Sequence, residues 1–414
     1  MNIKFIFCLF LFGALFIKIS AQTDSFENLV RSNTFPIQIE NGKLSGKGAD
    51  LIKASLDDVE FVALGEEHNK RAVHEFGGAL FRLLHDRYDF NHLALEEDAL
   101  WGKMLSEAAK KGGGEGVIDL ALRYPNAFHL PTENEMQMIG DIGKISNARY
   151  PVWGLNQAFG AAHIYERLLR LAPNKTARDA AQKLLDQSLE YEKERFAKNI
   201  HYIVNVAKPV DFALLRNAFK PRENSEADFL IEQLALSNRI FAPYVAKPRP
   251  SSAVFYESGK MRELNMKKLF AEKYREAQNQ GEPLPKVLAM FGQLHLYRGL
   301  SERTEQYTLG NYLSELANFN DRKSFHIYTA VDADYIYKGA FAELAKIASE
   351  SAQKTNSGAV INLRPLFDYA RTSKEINPEL RRLIMSYDVF LLLSDKETGS
   401  IKRLETPNYR WYTN

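Results

Sequence analysis

Short apolar runs that end in charged or polar residues recur along this chain. The run Val59–Leu64 is interrupted by a single glutamate and leads, after a glycine, into Glu66, Glu67 and His68. Nearly continuous apolar runs are typical of strands covered on both faces, as in parallel sheets. Because charged groups are costly to bury, a strand that carries them to its end indicates a site there.

Helical and strand patterns alternate through the first part of the chain. Phe76, Leu80 and Leu84 recur at helical spacing after the first strand, although two glycines weaken that helix. A helix is also predicted near Glu133–Ser146. Further strands are predicted at FNHLALEED, YPVWGLN, Val287–Phe291, SFHIYTAV and YDVFLLLSD. This alternation predicts an α/β fold with a mostly parallel central sheet flanked by helices.

The pattern is helical almost throughout from Gln157 to about Pro250. Leu185, Leu189, Phe196, Ile200 and Ile203 advance in helical steps, and a proline-containing linker, VAKPRPSS, ends the region. The sequence therefore predicts a large all-helical insertion at 157–250. It divides the α/β core into a first part at 22–156 and a second part at 251–414.

The first 21 residues have the pattern of a secretory signal peptide. A lysine precedes an apolar run that is too short to span a bilayer comfortably. Small residues follow at the expected cleavage site, which lies after Ala21. The alternative is an uncleaved anchor. Cys8, the only cysteine of the 414 residues, lies inside this segment, so the mature chain has no disulfide. We expect an exported protein, periplasmic or secreted, without stable membrane insertion after cleavage.

Composition and motifs exclude several classes of function. The chain is 45% hydrophobic with a formal net charge of +2, which is globular and lacks the basic excess of a nucleic-acid-binding protein. It has no G-x-S-x-G elbow and no Walker or dinucleotide glycine motif. The glycine-rich segment Lys110–Gly116 follows no strand and is interpreted as a flexible loop. We expect a small-molecule substrate.

Four predicted strand ends carry polar residues, and the carboxyl ends of parallel strands meet at one edge of a sheet, where ligands bind. An imidazole oriented by a carboxylate is a suitable general base, and a second polar group can stabilise an oxyanion. The residues predicted to be catalytic are His68, Glu66, Glu96 and His295. Those predicted to bind substrate are Glu67, Asp98, Asn156 and Gln293.

Each of these residues also has an ordinary structural explanation. A single histidine at a strand end is more often a hydrogen-bonded structural residue, and paired glutamates can be solvated or can cap a helix. The other histidines are interpreted as surface or packing residues, although His163 lies close to a strand end. They are His74, His85, His92, His129, His163, His201 and His326. The same site atoms suit zinc or manganese, but H-E-x-x-H is absent and a metal-free base is favoured.

The order of short motifs resembles the erythromycin-esterase-like superfamily. LGEEHNKRAVHEF resembles its strand-end Gly-Glu and His motif, and LALEEDALW and VWGLN resemble its next strands. MRELNM resembles the family's helix with an arginine followed by an acidic residue. GQLHLYRG and the later TLGNYLSE resemble its histidine strand and the helix that follows it. YDVFLLLSDKETGSI resembles its closing strand. These motifs span residues 59 to 400. One residue rather than two separates Glu66 from His68, a spacing closer to the related haem-binding ChaN-like proteins.

The resemblance implies an α/β core with a helical insertion and a metal-independent hydrolase. His68 would activate water, Glu66 would be its partner, Glu96 a second carboxylate and His295 the later histidine. Three functions remain. The first is a hydrolase that needs no cofactor and acts on an ester, lactone or similar carbonyl compound. The others are a non-enzymatic haem- or ligand-binding protein and a metal-dependent hydrolase. Haem-induced absorbance and sensitivity to chelators distinguish the second and third from the first.

We predict that the exported protein begins near Gln22, because the small residues before it suit signal peptidase. Sequencing of the N-terminus of material recovered outside the cytoplasm checks this. Recovered protein that still carries the apolar run Phe5–Ile17 would show that the segment is an anchor.

Overall fold

The computed structural model describes residues 25–127, 132–198, 202–301, 304–331, 339–355 and 357–394. The predicted signal peptide lies outside these residues, as do His129 and His201. No helix within the described ranges is long and apolar enough to cross a membrane.

Nine strands in the described residues form one sheet, in the order β2-β1-β8-β9-β7-β3-β6-β4-β5. The six strands from β9 to β5 are mutually parallel, and β8, β1 and β2 extend the sheet antiparallel at one edge. The predicted mostly parallel α/β fold is thereby confirmed. The strands are β1 Thr34–Glu40, β2 Lys43–Ser45, β3 Val59–Glu66, β4 His92–Asp98, β5 Val152–Asn156, β6 Val287–Gly292, β7 Lys323–Val331, β8 Gly358–Asn362 and β9 Val389–Leu393.

Helices cover both faces of the sheet. Along β3, Val62 and Leu64 pack into one hydrophobic core, whereas Phe61 and Ala63 pack into the core on the opposite face. This two-sided burial explains the continuous apolar runs. The helices are α1 Phe26–Ser32, α2 Lys47–Ala54, α3 Arg71–Tyr88, α4 Ala99–Arg123, α5 Glu133–Ile145, α6 Ala162–Leu171, α7 Lys175–Lys198, α8 Ile203–Val206, α9 Pro209–Phe219, α10 Glu226–Val245, α11 Ser252–Asn279, α12 Leu309–Phe319, α13 Ala342–Ala352, α14 Phe367–Thr372 and α15 Pro378–Ser386.

The range 157–250, predicted to be an all-helical insertion, contains helices α6 to α10 and no strand among its described residues. Its apolar side chains, such as Leu168, Leu185 and Leu234, join the core on one face of the sheet. The predicted helix through Leu185 is present as α7, which ends at Lys198, and Ile200 lies outside the described residues.

The glycine-rich segment Lys110–Gly116 is not a loop, so that prediction is wrong. It lies inside α4, which kinks at Gly113, where φ is 63°. Gly114 serves close packing: a Cβ on Gly140 of α5 would lie 2.1 Å from its backbone nitrogen. Helix α5 can approach α4 this closely because Gly114 and Gly140 both lack side chains, and this packing keeps the segment helical despite its low helix propensity.

We predict opposite effects for two glycine-to-alanine changes in α4. A Cβ at Gly102 would lie 2.2 Å from the nitrogen of Gly154 in β5, so Gly102→Ala must separate helix from strand and should destabilise the protein by about 1–3 kcal/mol or more. A Cβ at Gly112 would meet no atom of the described residues within 4 Å outside its own stretch of helix. Gly112→Ala should therefore stabilise the helix by about 1 kcal/mol, with urea unfolding as the measurement. Equal effects of the two changes would contradict this packing.

Candidate active site

The central strands β3, β6 and β4 are adjacent and parallel, so their carboxyl ends open at one edge of the sheet. Glu66 is the last residue of β3, and His68 follows two residues later. Glu96 lies near the end of β4, and His295 ends a 3-10 turn, Gln293–His295, directly after β6. The four residues predicted to be catalytic therefore meet in one place.

His68 is oriented by Glu66. The Nδ1 atom of His68 lies 2.8 Å from Oε1 of Glu66. Because a carboxylate only accepts hydrogen bonds, the Nδ1–H of His68 donates to it, and a neutral ring then leaves Nε2 as an acceptor. About a third of the His68 side chain is exposed, so Nε2 can meet a molecule in the adjoining space.

The surroundings of His68 favour its protonated form. Burial opposes the charge, but the hydrogen bond with Glu66 and the charges of Glu96, Glu66 and Glu135 outweigh it and raise the pKa of His68 to about 9. At pH 7 the ring therefore carries a proton in most molecules. His68 is thus a strong base, and its neutral fraction increases steeply up to pH 9.

Glu96 lies between the two site histidines. Its Oε2 accepts a hydrogen bond from the backbone N–H of Gly292 at 2.9 Å and is 3.8 Å from Nε2 of His68. Its Oε1 accepts from Nη2 of Arg262 and lies 3.7 Å from Nε2 of His295. Burial alone would favour the neutral acid, but the charges of Arg262, His295 and His68 outweigh it and hold the pKa of Glu96 far below its usual range.

Glu263 performs for His295 the role that Glu66 performs for His68. Its Oε1 is 2.6 Å from Nδ1 of His295, and its Oε2 accepts the N–H of Leu309 at 2.9 Å. The carboxylate is therefore fixed at both oxygens, and it directs Nε2 of His295 toward Glu96.

A cavity of about 940 Å³ has its floor formed by Glu66, His68, Glu96, Arg262 and His295. The helical insertion supplies one wall, with Phe159, Ile240, Phe241 and Tyr244. Further aromatic rings come from the core, including Tyr297 and Tyr328. A polar, mainly acidic floor with aromatic walls suits a small organic ligand whose reactive group points at the sheet edge.

Comparison with solved structures finds chains of the same architecture. A Bacillus cereus protein is 14% identical over 90% of this chain and 98% of its own, with a TM-score of 0.51. A succinoglycan biosynthesis protein is 14% identical over 89% and 96%, also with a TM-score of 0.51. A histidine mutant of the erythromycin esterase EreC, in its open conformation, is 12% identical over 86% and 97%, with a TM-score of 0.51.

The chain has the erythromycin-esterase-like fold. No family model and no curated protein matches its sequence. At these identities the likeness shows the fold alone.

On this erythromycin-esterase-like fold, two of the four predicted substrate-binding residues line the cavity. Glu67 accepts the N–H of Val331 at 3.0 Å, and Lys70 lies 3.5 Å from its other oxygen. Gln293 donates its amide N–H to the carbonyl of Thr329. Both side chains therefore also tie strand ends together at the cavity edge.

Asp98 and Asn156 are not among the residues that line the cavity, and their role in binding substrate stays a prediction. Asp98 accepts the N–H of Trp101 at 2.9 Å, which caps α4, and its other oxygen is 2.9 Å from Nε2 of His163. Asn156 is fully buried. It accepts from Nε of Arg262 at 3.1 Å, so it acts on the site through the residue that pairs with Glu96.

Four residues that the structure brings to this site were not predicted from the sequence. Arg262 and Glu263 are consecutive in α11, and the MRELNM motif that contains them was the available signal. His74 in α3 has Nε2 4.0 Å from Oε2 of Glu66. Glu135 lies in the first turn of α5, close to Glu66 and His68, and no sequence pattern indicated it.

Metal ligation was the rival use of these atoms. In the described part of the chain, no group of three or more His, Cys, Asp or Glu side chains is arranged to hold a metal ion. The Nδ1 atoms of His68 and His295 are already engaged by carboxylates.

We predict that Arg262→Met destabilises the protein by about 3 kcal/mol, because it leaves the carboxylate of Glu96 buried without its main counter-charge. Urea unfolding at pH 7 is the measurement. Arg167→Met is the control, since Arg167 and Glu226 form an exposed pair whose loss should cost less than about 1 kcal/mol. Adding Glu96→Gln to Arg262→Met should restore part of the lost stability. Similar losses of stability in Arg262→Met and Arg167→Met would contradict a dominant Arg262–Glu96 pair.

Proposed function

We propose that this protein is an exported hydrolase that cleaves an ester, lactone or similar carbonyl compound with water activated by His68. The observation that supports this most directly is the orientation of His68. Glu66 holds its Nδ1 at 2.8 Å, and its Nε2 borders a cavity large enough for an organic substrate. An oriented imidazole beside a ligand cavity is the arrangement that general base catalysis needs.

In the proposed reaction, neutral His68 takes a proton from water through Nε2 as the water oxygen attacks the carbonyl carbon. His295 gives its Nδ1–H to Glu263, so it is the ring with both protons that donates its Nε2–H to the developing oxyanion. The bond from carbon to the leaving oxygen then breaks, and protonated His68 returns its proton to that oxygen. The products are a carboxylic acid and an alcohol, which remain in one molecule when the substrate is a lactone.

The carboxylates divide the supporting roles. Glu66 orients His68 and stabilises its protonated form, and Glu96 adds a second negative charge on the other side of the ring. Glu263 orients His295. Arg262 keeps Glu96 ionised and in place. Every group in this scheme belongs to the protein, so the proposal requires no metal or other cofactor.

The proposed setting follows from the N-terminal sequence. A protein carrying this signal would act in the periplasm or outside the cell on small molecules, with no nucleic-acid partner.

Full activity after dialysis against a chelator is expected. Loss of activity that zinc or manganese restores would favour a metal-dependent hydrolase instead, and a Soret band on adding haemin without any turnover would favour a haem-binding protein.

We predict that kcat/KM rises with pH until about pH 9, because the reaction requires neutral His68 and its pKa is raised to about 9. The increase should be about tenfold per pH unit at lower pH. The measurement is hydrolysis of a panel of esters and lactones by the mature protein. His68→Ala should lower the rate by about 10²–10⁴-fold and abolish this dependence on pH.

The control for this experiment is His85→Ala, since His85 lies away from the cavity and bonds only the carbonyl of Phe90 in the contacts described. That variant should keep both the rate and the pH profile. A His68→Ala protein that remains folded and turns over substrate at the wild-type rate would overturn the proposal.

A further inference from the structure

A second, smaller cavity of about 20 Å³ shares Glu66, His68 and Glu96 with the substrate cavity. Its wall is completed by residues outside the proposed mechanism, including His74 and Glu135. A polar space of this size accommodates one water molecule. Glu135 and the Glu66–His68 pair therefore border the same small space.

Local contacts hold Glu135 in this position. Its backbone N–H donates to Oγ1 of Thr132 at 3.1 Å, and the same oxygen lies 3.3 Å from Nδ1 of His74. His74 in turn has Nε2 4.0 Å from Oε2 of Glu66. The start of α5 is thus joined through Thr132 and His74 to the carboxylate that orients His68.

The electrostatic environment keeps Glu135 neutral at pH 7. Burial and then the charge of Glu66 raise the pKa of Glu135 to about 8, although the charge of His68 acts in the other direction. Burial also lowers the pKa of His74, which leaves that ring neutral. The pKa values of Glu135 and His68 are both raised to the alkaline side of neutrality, so the two groups titrate in the same range of pH.

We propose that Glu135 is a positioning residue of this site, whose carboxyl group acts on the Glu66–His68 pair across the small cavity. When neutral, it offers an O–H donor toward Glu66 or toward a water between them. When ionised, it adds a negative charge that holds the proton on His68. Glu135 therefore limits how far the base becomes available at alkaline pH. This inference rests on the proposed hydrolase, in which His68 is the base.

Several other groups face His68 and act on it at the same time. Glu66 belongs to β3, Glu96 to β4 and His74 to α3, and His295 and Arg262 both contact Glu96. A test therefore has to remove the carboxyl of Glu135 alone. Glu135→Gln does so with nearly the same shape, and the neighbouring Glu133→Gln removes a charge from the same helical turn without altering the wall of the small cavity.

The experiment is an NMR titration of protein labelled with ¹³C at the histidine ring, with the His68 signal assigned by its loss in His68→Ala. We expect Glu135→Gln to lower the midpoint of His68 by about 1 pH unit relative to wild type, because a nearby negative charge is removed. Glu133→Gln should leave the midpoint in place. On an identified substrate, the pH profile of kcat/KM should shift down by the same amount.

A His68 midpoint that Glu135→Gln moves no further than Glu133→Gln does would overturn the inference. If Glu135→Gln fails to fold, Glu135→Met removes the same charge, and an unchanged midpoint in that variant would overturn the inference in the same way. The titration needs no substrate. Failure to find turnover would therefore refute the hydrolase while leaving the link between Glu135 and His68 to be decided by the spectra.

Discussion

The buried carboxylate of Glu96 is the constraint on which the rest of the site depends. A charge at the end of a central strand would be strongly unfavourable by itself, and Arg262, the N–H of Gly292 and two histidines together make it favourable. Each partner comes from a different element, so the position of Glu96 fixes α11, the end of β6 and the turn after β3 relative to one another.

The absence of a side chain at Gly292 is part of the same constraint. A Cβ there would lie 2.8 Å from Nε2 of His68 and 3.3 Å from Oε2 of Glu96. A larger residue would therefore push the imidazole away from the carboxylate and cover the backbone donor. Arg262 and Glu263 reach the site from the first helix after the insertion, so the second part of the chain completes an edge that the first part begins.

The fold and the core of the site were predictable because they depend on local pattern and strand direction. Runs buried on both faces identified the parallel strands, and parallel strands bring His68, Glu96 and His295 together. The antiparallel edge was missed because β1 is only partly buried and lacks a continuous apolar run, whereas β8 is buried but only five residues long. The sequence did not indicate that Asp98 lies outside the cavity lining, because its partners, the start of α4 and a distant histidine, depend on tertiary packing. Contacts over long sequence separations, such as Arg262 to Glu96, leave no periodic pattern.

The raised pKa values at this edge also couple the folding of the protein to proton uptake. Folding raises the pKa of His68 from 6.5 to about 9 and that of Glu135 from 4.5 to about 8. At pH 7 both groups therefore bind protons in the folded state that they mostly release when the chain unfolds. The stability that His68 contributes is present below pH 6.5 and is lost as the pH rises through 9, and the burial of Glu135 becomes more costly between pH 4.5 and 8. Alkaline conditions thus free the base and weaken the native state together.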